Sequence, residues 1–329
     1  MGPGNDSLLT VSSSPHVHSG ASVRRIMMDV IIALLPVLAV SIYFFGRNAL
    51  RLVTTCVLVS VAAEFLCRKA MRRDPGIGDL SAVVTGLLLA FNLPPALPTW
   101  LAAVGAVFAI VVAKQLFGGL GYNPFNPALA GRVALLISVP GFMTVWSKWH
   151  IPGTDAVTAA TPLGMAKEAL QSGKPVPFDF TSGMAFNFLV GDMNGCIGEV
   201  SAAAVILGGL YLLFRRCISW HIPVFYVGTV ALFSWILYAL DPAANMPPGF
   251  HVLAGGLMLG AVFMATDMVT SPVTGKGKIV FGVGCGVITM VIRRWGGYPE
   301  GVSFAILLMN SVVPLINRAA RPRVFGKKK

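Results

Sequence analysis

Charge is scarce in this chain, and acidic charge most of all. Charged residues are 12% of the 329, with 13 Asp and Glu against 25 Lys and Arg. The five cysteines (Cys56, Cys67, Cys196, Cys217, Cys285) are dispersed, with no C-x-x-C and no metal-ligand spacing. That excludes an iron–sulfur cluster built from this chain alone, while leaving open one shared with a partner. Gly-rich phosphate loops, paired catalytic carboxylates and nucleophile triads are also lacking, which disfavours hydrolytic and phosphotransfer chemistry. Short alternating segments of the kind that build a membrane barrel are missing too.

Long apolar runs are abundant instead. The composition is 55% hydrophobic with a mean hydropathy of +0.76, far from that of a soluble domain. The runs are roughly 15 to 22 residues long, enough to cross a ~30 Å hydrocarbon core as helices. They predict an all-α integral membrane protein with about ten spans, at 24–45, 49–67, 79–93, 98–117, 126–140, 197–214, 221–240, 250–268, 278–293 and 299–316. The first run follows Arg24-Arg25 but is too long for a signal peptide and lacks a small-x-small cleavage site, so it reads as an uncleaved helix. With the N-terminus inside, 18 of the 25 Lys and Arg fall on the cytoplasmic side. The net charge of +12 is therefore a topology signal, which points to membrane lipid as the partner and away from nucleic acid. Both termini are expected in the cytoplasm and the central loop outside it.

The chain also repeats itself weakly. Gly86-Leu-Leu-Leu-Ala-Phe-Asn-Leu-Pro-Pro95 has a counterpart beginning at Gly260, and Phe117-Gly-Gly-Leu-Gly-Tyr-Asn-Pro124 has one in Trp295-Gly-Gly-Tyr-Pro299. Five spans per half force the second copy to enter the membrane upside down, giving two inverted five-helix repeats. The expected organisation is an N-terminal arm over 1–23, a first repeat over 24–140 and an extracytoplasmic loop over 141–196. A second repeat follows over 197–316, and a basic tail over 317–329. Spans three and eight are short and end in breaks near Pro94-Pro95 and Pro272. Such matched interruptions point to a binding site, or are helix ends that reach the interface.

Polar residues inside the apolar runs need a partner or a role. Asp267, at the break of span eight, is a candidate to bind a cation, to accept from a ring edge, or to cap the next segment. Asn123 and Asn126 each precede a proline, which turns them out of helical geometry. Their amides suit a flavin edge or a quinone, or the second simply starts the fifth helix with Pro127 in its first turn. Asp29, Glu64 and Asp79 are expected to pair with Arg24, Arg68 or Arg72, and Lys114 and Arg132 to snorkel to the cytoplasmic interface. His16 and His18 are two ligands with no third in view, a poor metal site.

The central loop is unusually long, roughly 50 residues, for a membrane protein. It contains Asp155-Ala-Val-Thr-Ala-Ala-Thr-Pro-Leu-Gly164, in which Thr158 and Thr161 stand among small residues. A small-residue turn accounts for this spacing, and so does an accessible attachment site. With Ser14-Pro-His-Val-His-Ser19, the Gly118–Ala128 segment and Phe263-Met-Ala-Thr-Asp-Met-Val-Thr-Ser-Pro272, it resembles the RnfD family of Rnf electron-transport complexes over about residues 13 to 318. The related membrane subunit of the sodium-pumping NADH:quinone reductase typically has a longer N-terminal extension.

The resemblance implies a covalent FMN on Thr161, with Thr158 as the fallback acceptor and Asp155 within the same motif. It implies a second, noncovalent flavin (riboflavin) near Asn123 and Asn126, with Asp267 a further flavin-binding candidate. The implied setting is the bacterial cytoplasmic (inner) membrane, and the implied partners are the RnfA, RnfB, RnfC, RnfE and RnfG proteins and a flavin transferase. The implied activity is that of the whole complex, ferredoxin oxidation and NAD⁺ reduction coupled to Na⁺ or H⁺ movement, and not of the isolated subunit. Position 159 is Ala where the attachment pattern usually has Gly. The alternative is a five-plus-five transporter or channel with no redox cofactor.

Overall fold

The computed structural model describes residues 22–73, 77–146, 160–173, 176, 178–191, 193–199, 201–242 and 245–321. Asp155, Thr158, Ala159, His16 and His18 lie outside these residues. Every regular element among the described residues is helical. The first half contains α1 (Val23–Phe45), α2 (Arg47–Ala70), α3 (Ser81–Phe91), α4 (Thr99–Val107) and α5 (Pro127–Ser138). A π-helical stretch, Phe108–Gln115, continues α4. Short helices α6 (Pro140–Met143), α7 (Pro162–Ser172) and α8 (Ser182–Val190) belong to the central segment. The second half contains α9 (Ala202–Phe214), α10 (His221–Leu240), α11 (Pro248–Leu253), α12 (Leu257–Leu259), α13 (Gly275–Trp295) and α14 (Val302–Ala319), with π-helical Gly260–Met264 extending α12.

Helices α1, α2, α10, α13 and α14 are long and apolar enough to cross a membrane, and four shorter apolar helices accompany them. Large apolar side chains stay on the outer surface, with Leu58 69%, Leu240 78% and Phe214 86% exposed. In water such a surface would aggregate, whereas in lipid it is the solvated face. The protein is therefore an all-α, multi-pass membrane protein.

The contact registers show how the halves meet. Along α1 and α9, Asp29 pairs with Arg215, Gly208 abuts Ala33, and Ser41 Oγ donates to Ile197 O. The two helices thus run antiparallel. They pack backbone to backbone, since a Cβ at Gly208 would collide with the Ala33 carbonyl. Helices α5 and α14 are antiparallel as well: Asn126 meets Asn310 while Arg132 meets Glu300. These are the first and fifth helices of the two repeats, and an inverted repeat requires equivalent helices to oppose each other.

Broken backbone is satisfied from the opposite half after α3 and from within its own half at the eighth span. Beyond α3, Phe91 O and Leu93 O accept from Gly198 N–H (2.8 Å) and Ile197 N–H (3.1 Å). Those bonds hold Ile197–Gly198 in a turn, so the sixth helix begins at Ala202 rather than at the expected 197. The eighth span is cut more severely than expected. It is interrupted between Leu253 and Leu257, and its helix ends at Met264, well before Pro272. Arg293 repairs the first cut by donating to His251 O (2.5 Å) and Ala254 O (3.2 Å), and Glu300 accepts from Gly256 N–H (2.8 Å).

Two expectations about charges are corrected. Lys114 and Arg132 do not snorkel; they are 1% and 5% exposed and sit in ion networks. Asp29 pairs with Arg215 (3.2 Å) rather than with Arg24, and Asp79 accepts from Ser81 N–H (2.8 Å) and Ser81 Oγ (2.7 Å) at the start of α3. In each case a partner remote in sequence, or the nearest helix N-terminus, is closer than the expected arginine.

Candidate functional site

The candidate residues separate into two cavities at opposite ends of the α5–α14 pair. The first cavity gathers Asn123, Asn126 and Asp267 with Ser81, Lys114 and Thr266, under apolar walls that include Met27, Leu88 and Phe263. Asn126 is the N-cap of α5, its Oδ1 accepting from Ala128 N–H (3.1 Å) and Leu129 N–H (3.3 Å), with Pro127 in the first turn. Its Nδ2 also donates to Met264 O (3.3 Å), where the second repeat breaks. The helix-start reading therefore holds, and the amide serves the opposite half as well. Asn123 Nδ2 donates to Phe125 O (3.1 Å), leaving a buried Oδ1 without a partner. Asp267 caps locally, accepting from Val269 N–H (3.3 Å) and Thr270 Oγ1 (3.0 Å).

The edge of this cavity is a buried ion network. Lys114 Nζ donates to Glu64 (2.8 Å) and Ser81 Oγ (2.6 Å), and Gln115 Nε2 donates to the other Glu64 oxygen (2.8 Å). Arg68, one turn along α2, completes it at 3.8 Å.

The second cavity holds Thr161. Its backbone is extended (φ −66°, ψ 152°), and as N-cap of α7 its Oγ1 accepts from Gly164 N–H at 3.0 Å. The hydroxyl is half-buried on a rim with Pro162 and Leu163. The walls include Leu136, Met143, Trp146 and Phe304, and the polar lining includes Arg132, Glu199, Glu300 and Ser303 with Thr144 and Asn194. Lys167, one helical turn beyond Gly164, anchors α7. Its ammonium donates to the carbonyls of Ile292 (2.9 Å), Arg293 (3.3 Å) and Tyr298 (2.8 Å) at the end of α13. Burial lowers the pKa of this lysine, and the three carbonyls replace the water it has lost.

Arg132 is the centre of the second cavity and was not singled out as a site residue from the sequence. It donates to Asn92 Oδ1 (2.8 Å) and to Glu300, lies 3.4 Å from Glu199, and touches Cys196 Sγ at 3.6 Å. Glu199, Glu300 and Lys167 were missed as well. The available signal was charge within or beside apolar runs, which by itself names no partner. Ser303, being uncharged, carries no such signal.

These features define a class: a multi-pass helical membrane protein whose two opposed halves enclose a polar-edged cavity at each end of a central helix pair. The chain belongs to the NQR2, RnfD, RnfE family, whose model matches residues 10–326. It is 51% identical, over 99% of its length and 98% of the relative's, to the D subunit of the Na(+)-translocating ferredoxin:NAD(+) oxidoreductase complex of Acetobacterium woodii. It is 45% identical to the D subunit of the proton-translocating ferredoxin:NAD(+) oxidoreductase complex of Clostridium ljungdahlii, over 98% and 97%. It is 38% identical to the D subunit of the ion-translocating oxidoreductase complex of Halorhodospira halophila, over 96% and 95%.

Proposed function

We propose that this chain is the flavin-bearing membrane subunit of an ion-translocating ferredoxin:NAD⁺ oxidoreductase, with FMN esterified to Thr161. The observation that carries the reading is the setting of Thr161, a half-buried hydroxyl at a helix N-terminus on the rim of a cavity with apolar walls and polar lining. The residues present fit the group. Gly164 leaves the space beside Thr161 Oγ1 open, since a Cβ there would stand 3.1 Å from that oxygen. A phosphoester is an anion, and the first turn of α7 presents backbone N–H groups to it. The flavin supplies the electron-carrying chemistry, while the protein supplies position and potential.

A second, noncovalent flavin belongs in the Asn123–Asn126–Asp267 cavity on this reading. The orphaned Asn123 Oδ1, between apolar walls, supports it. The charge asymmetry supports an extracytoplasmic Thr161 and cytoplasmic termini in the bacterial inner membrane. The other subunits of the complex and a flavin transferase are the partners. Relatives named for Na⁺ and for protons are similarly close to this chain, so resemblance does not select the coupling ion.

The test is fluorescence of the denatured gel band after co-expression with a flavin transferase. The wild-type and Thr158→Ala bands are expected to fluoresce and Thr161→Ala to be dark. A dark wild-type band, with the transferase active on another acceptor, would overturn the assignment in favour of a cofactor-free transporter.

A further inference from the structure

Buried side-chain polar atoms without a hydrogen bond are few in native proteins, and each asks for an explanation. Among the described residues there are seven: Ser60 Oγ, Asn123 Oδ1, Arg132 Nε, Glu199 Oε1, His221 Nδ1, His251 Nδ1 and Ser303 Oγ. Three of them, on Arg132, Glu199 and Ser303, line the single cavity beside Thr161. The three residues come from α5, from the turn before α9 and from α14, so no local sequence motif puts them together.

We propose that Arg132 Nε–H, Glu199 Oε1 and Ser303 Oγ form the polar edge of a seat for the ring system of the flavin anchored at Thr161. The proposal rests on the reading above and adds to it which groups recognise the ring. The set contains a donor, an acceptor and a hydroxyl able to act as either, which matches a heteroaromatic edge of alternating carbonyls and N–H. Arg132 cannot turn away to find other acceptors. Its terminal nitrogens face Asn92, Glu300 and Cys196, with Glu199 Oε1 3.4 Å from Nη1, and its Nε makes no hydrogen bond among the described residues. Glu300 is itself fixed by the Gly256 N–H, and a Cβ at Gly256 would collide with Glu300 and come within 2.7 Å of Glu199 Oε1.

Charge argues against a simple ion as the occupant. Glu199 and Glu300 already face the Arg132 guanidinium, and a second guanidinium is close by, Arg293 Nε donating to the backbone carbonyl of Glu300 at 3.1 Å, so both signs of charge already line the site. An added anion would meet carboxylates and an added cation would meet arginine. A neutral planar group with an apolar body suits the remaining walls of Leu136, Met143, Trp146 and Phe304.

Ser303→Ala is the decisive variant. Its hydroxyl makes no hydrogen bond among the described residues, so the substitution removes none of their bonds and is expected to leave the protein without flavin at least as stable as wild type. Full-length wild type, Ser303→Ala and Glu199→Gln, purified in detergent with and without transferase co-expression, would be compared by gel fluorescence, visible spectrum, flavin midpoint potential and Tm. All three bands are expected to fluoresce equally, because the anchor is untouched. Both variants are expected to shift the visible bands and the midpoint, and Ser303→Ala to lose most of the Tm rise that the flavin confers on wild type. Bright bands with wild-type spectra, midpoints and Tm rise would overturn the seat while leaving the anchor standing. A dark wild-type band would overturn the anchor, and the seat with it.

Discussion

The two buried ion networks of this protein differ in one respect. At the Asn126 end, Lys114, Glu64, Gln115 and Ser81 satisfy one another, and none of them has a buried unpartnered side-chain atom. At the Thr161 end, Arg132 and Glu199 each keep one such atom, facing a cavity with Ser303. Both networks tie helices together through charges withdrawn from solvent. A completed network rigidifies the fold, whereas an incomplete one at a cavity is poised to receive a ligand. The helix starts show the same contrast. Asn126 caps α5 with its own side chain, while the equivalent position before α14 is Gly301, in the left-handed region at φ 77° and with no side-chain cap. The neighbouring Glu300 turns away from its own helix to Arg132 and Gly256.

The comparison can be broken most forcefully at the completed network. Lys114→Met leaves the Glu64 carboxylate buried without its ammonium partner, at a cost of about 3–5 kcal/mol. The variant is expected to accumulate poorly and to melt early on fluorescence-detected size exclusion. Lys114→Met with Glu64→Leu should recover a large part of that loss, because no uncompensated charge remains. Failure of the double variant to recover would mean that this network does more than hold the fold.

Next in size is the anchor of α7. Lys167→Met removes hydrogen bonds from a charged donor to three carbonyls at the end of α13, and a charged hydrogen bond contributes about 1.5–3 kcal/mol. Limited proteolysis is expected to cut near α7 sooner, with little change in α1 or α2. A smaller effect, about 1 kcal/mol, is expected for Asn126→Ala from loss of the helix cap. It would be read as a modest fall in Tm, with Thr161 flavinylation unaffected.

Smallest, and opposite in character, is Glu199→Gln in protein without flavin. Its Oε1 lacks a hydrogen bond and Arg132 keeps Glu300 as its counterion, so the expected change in Tm is well below that of Lys114→Met. A loss as large as the lysine variant's would show that the two networks are equally structural and erase the distinction between them.

Local pattern made much of this architecture legible. The first, second and seventh spans fall within three residues of the observed α1, α2 and α10, because uninterrupted apolar sequence has one solution in lipid. The interruption of span eight was legible as a break but not in its extent, since Gly255 adopts φ 74° only where Arg293 and Glu300 bind the exposed backbone on either side. The start of the sixth helix was misplaced because Ile197 and Gly198 are apolar and look helical. Their N–H groups are instead taken by the carbonyls of Leu93 and Phe91, about a hundred residues upstream. Asn123, Asn126 and Asp267 were legible as polar residues beside prolines and breaks, and they do share one cavity. Thr161 was legible from the loop motif, yet its role as the cap of α7 and its place beside Arg132 were not.

Hydropathy is local and additive, so the sequence by itself determined that the chain is helical, crosses the membrane repeatedly and contains two related halves. Which buried charges find each other depends on which helix ends meet, and that is a property of the assembled halves. Arg132 reads as an interfacial arginine near an Asn-Pro turn until α14 brings Glu300, 168 residues downstream, against it. A lone charge in an apolar run announces a cost, and only the tertiary structure decided which partners meet that cost and which atoms remain for a ligand.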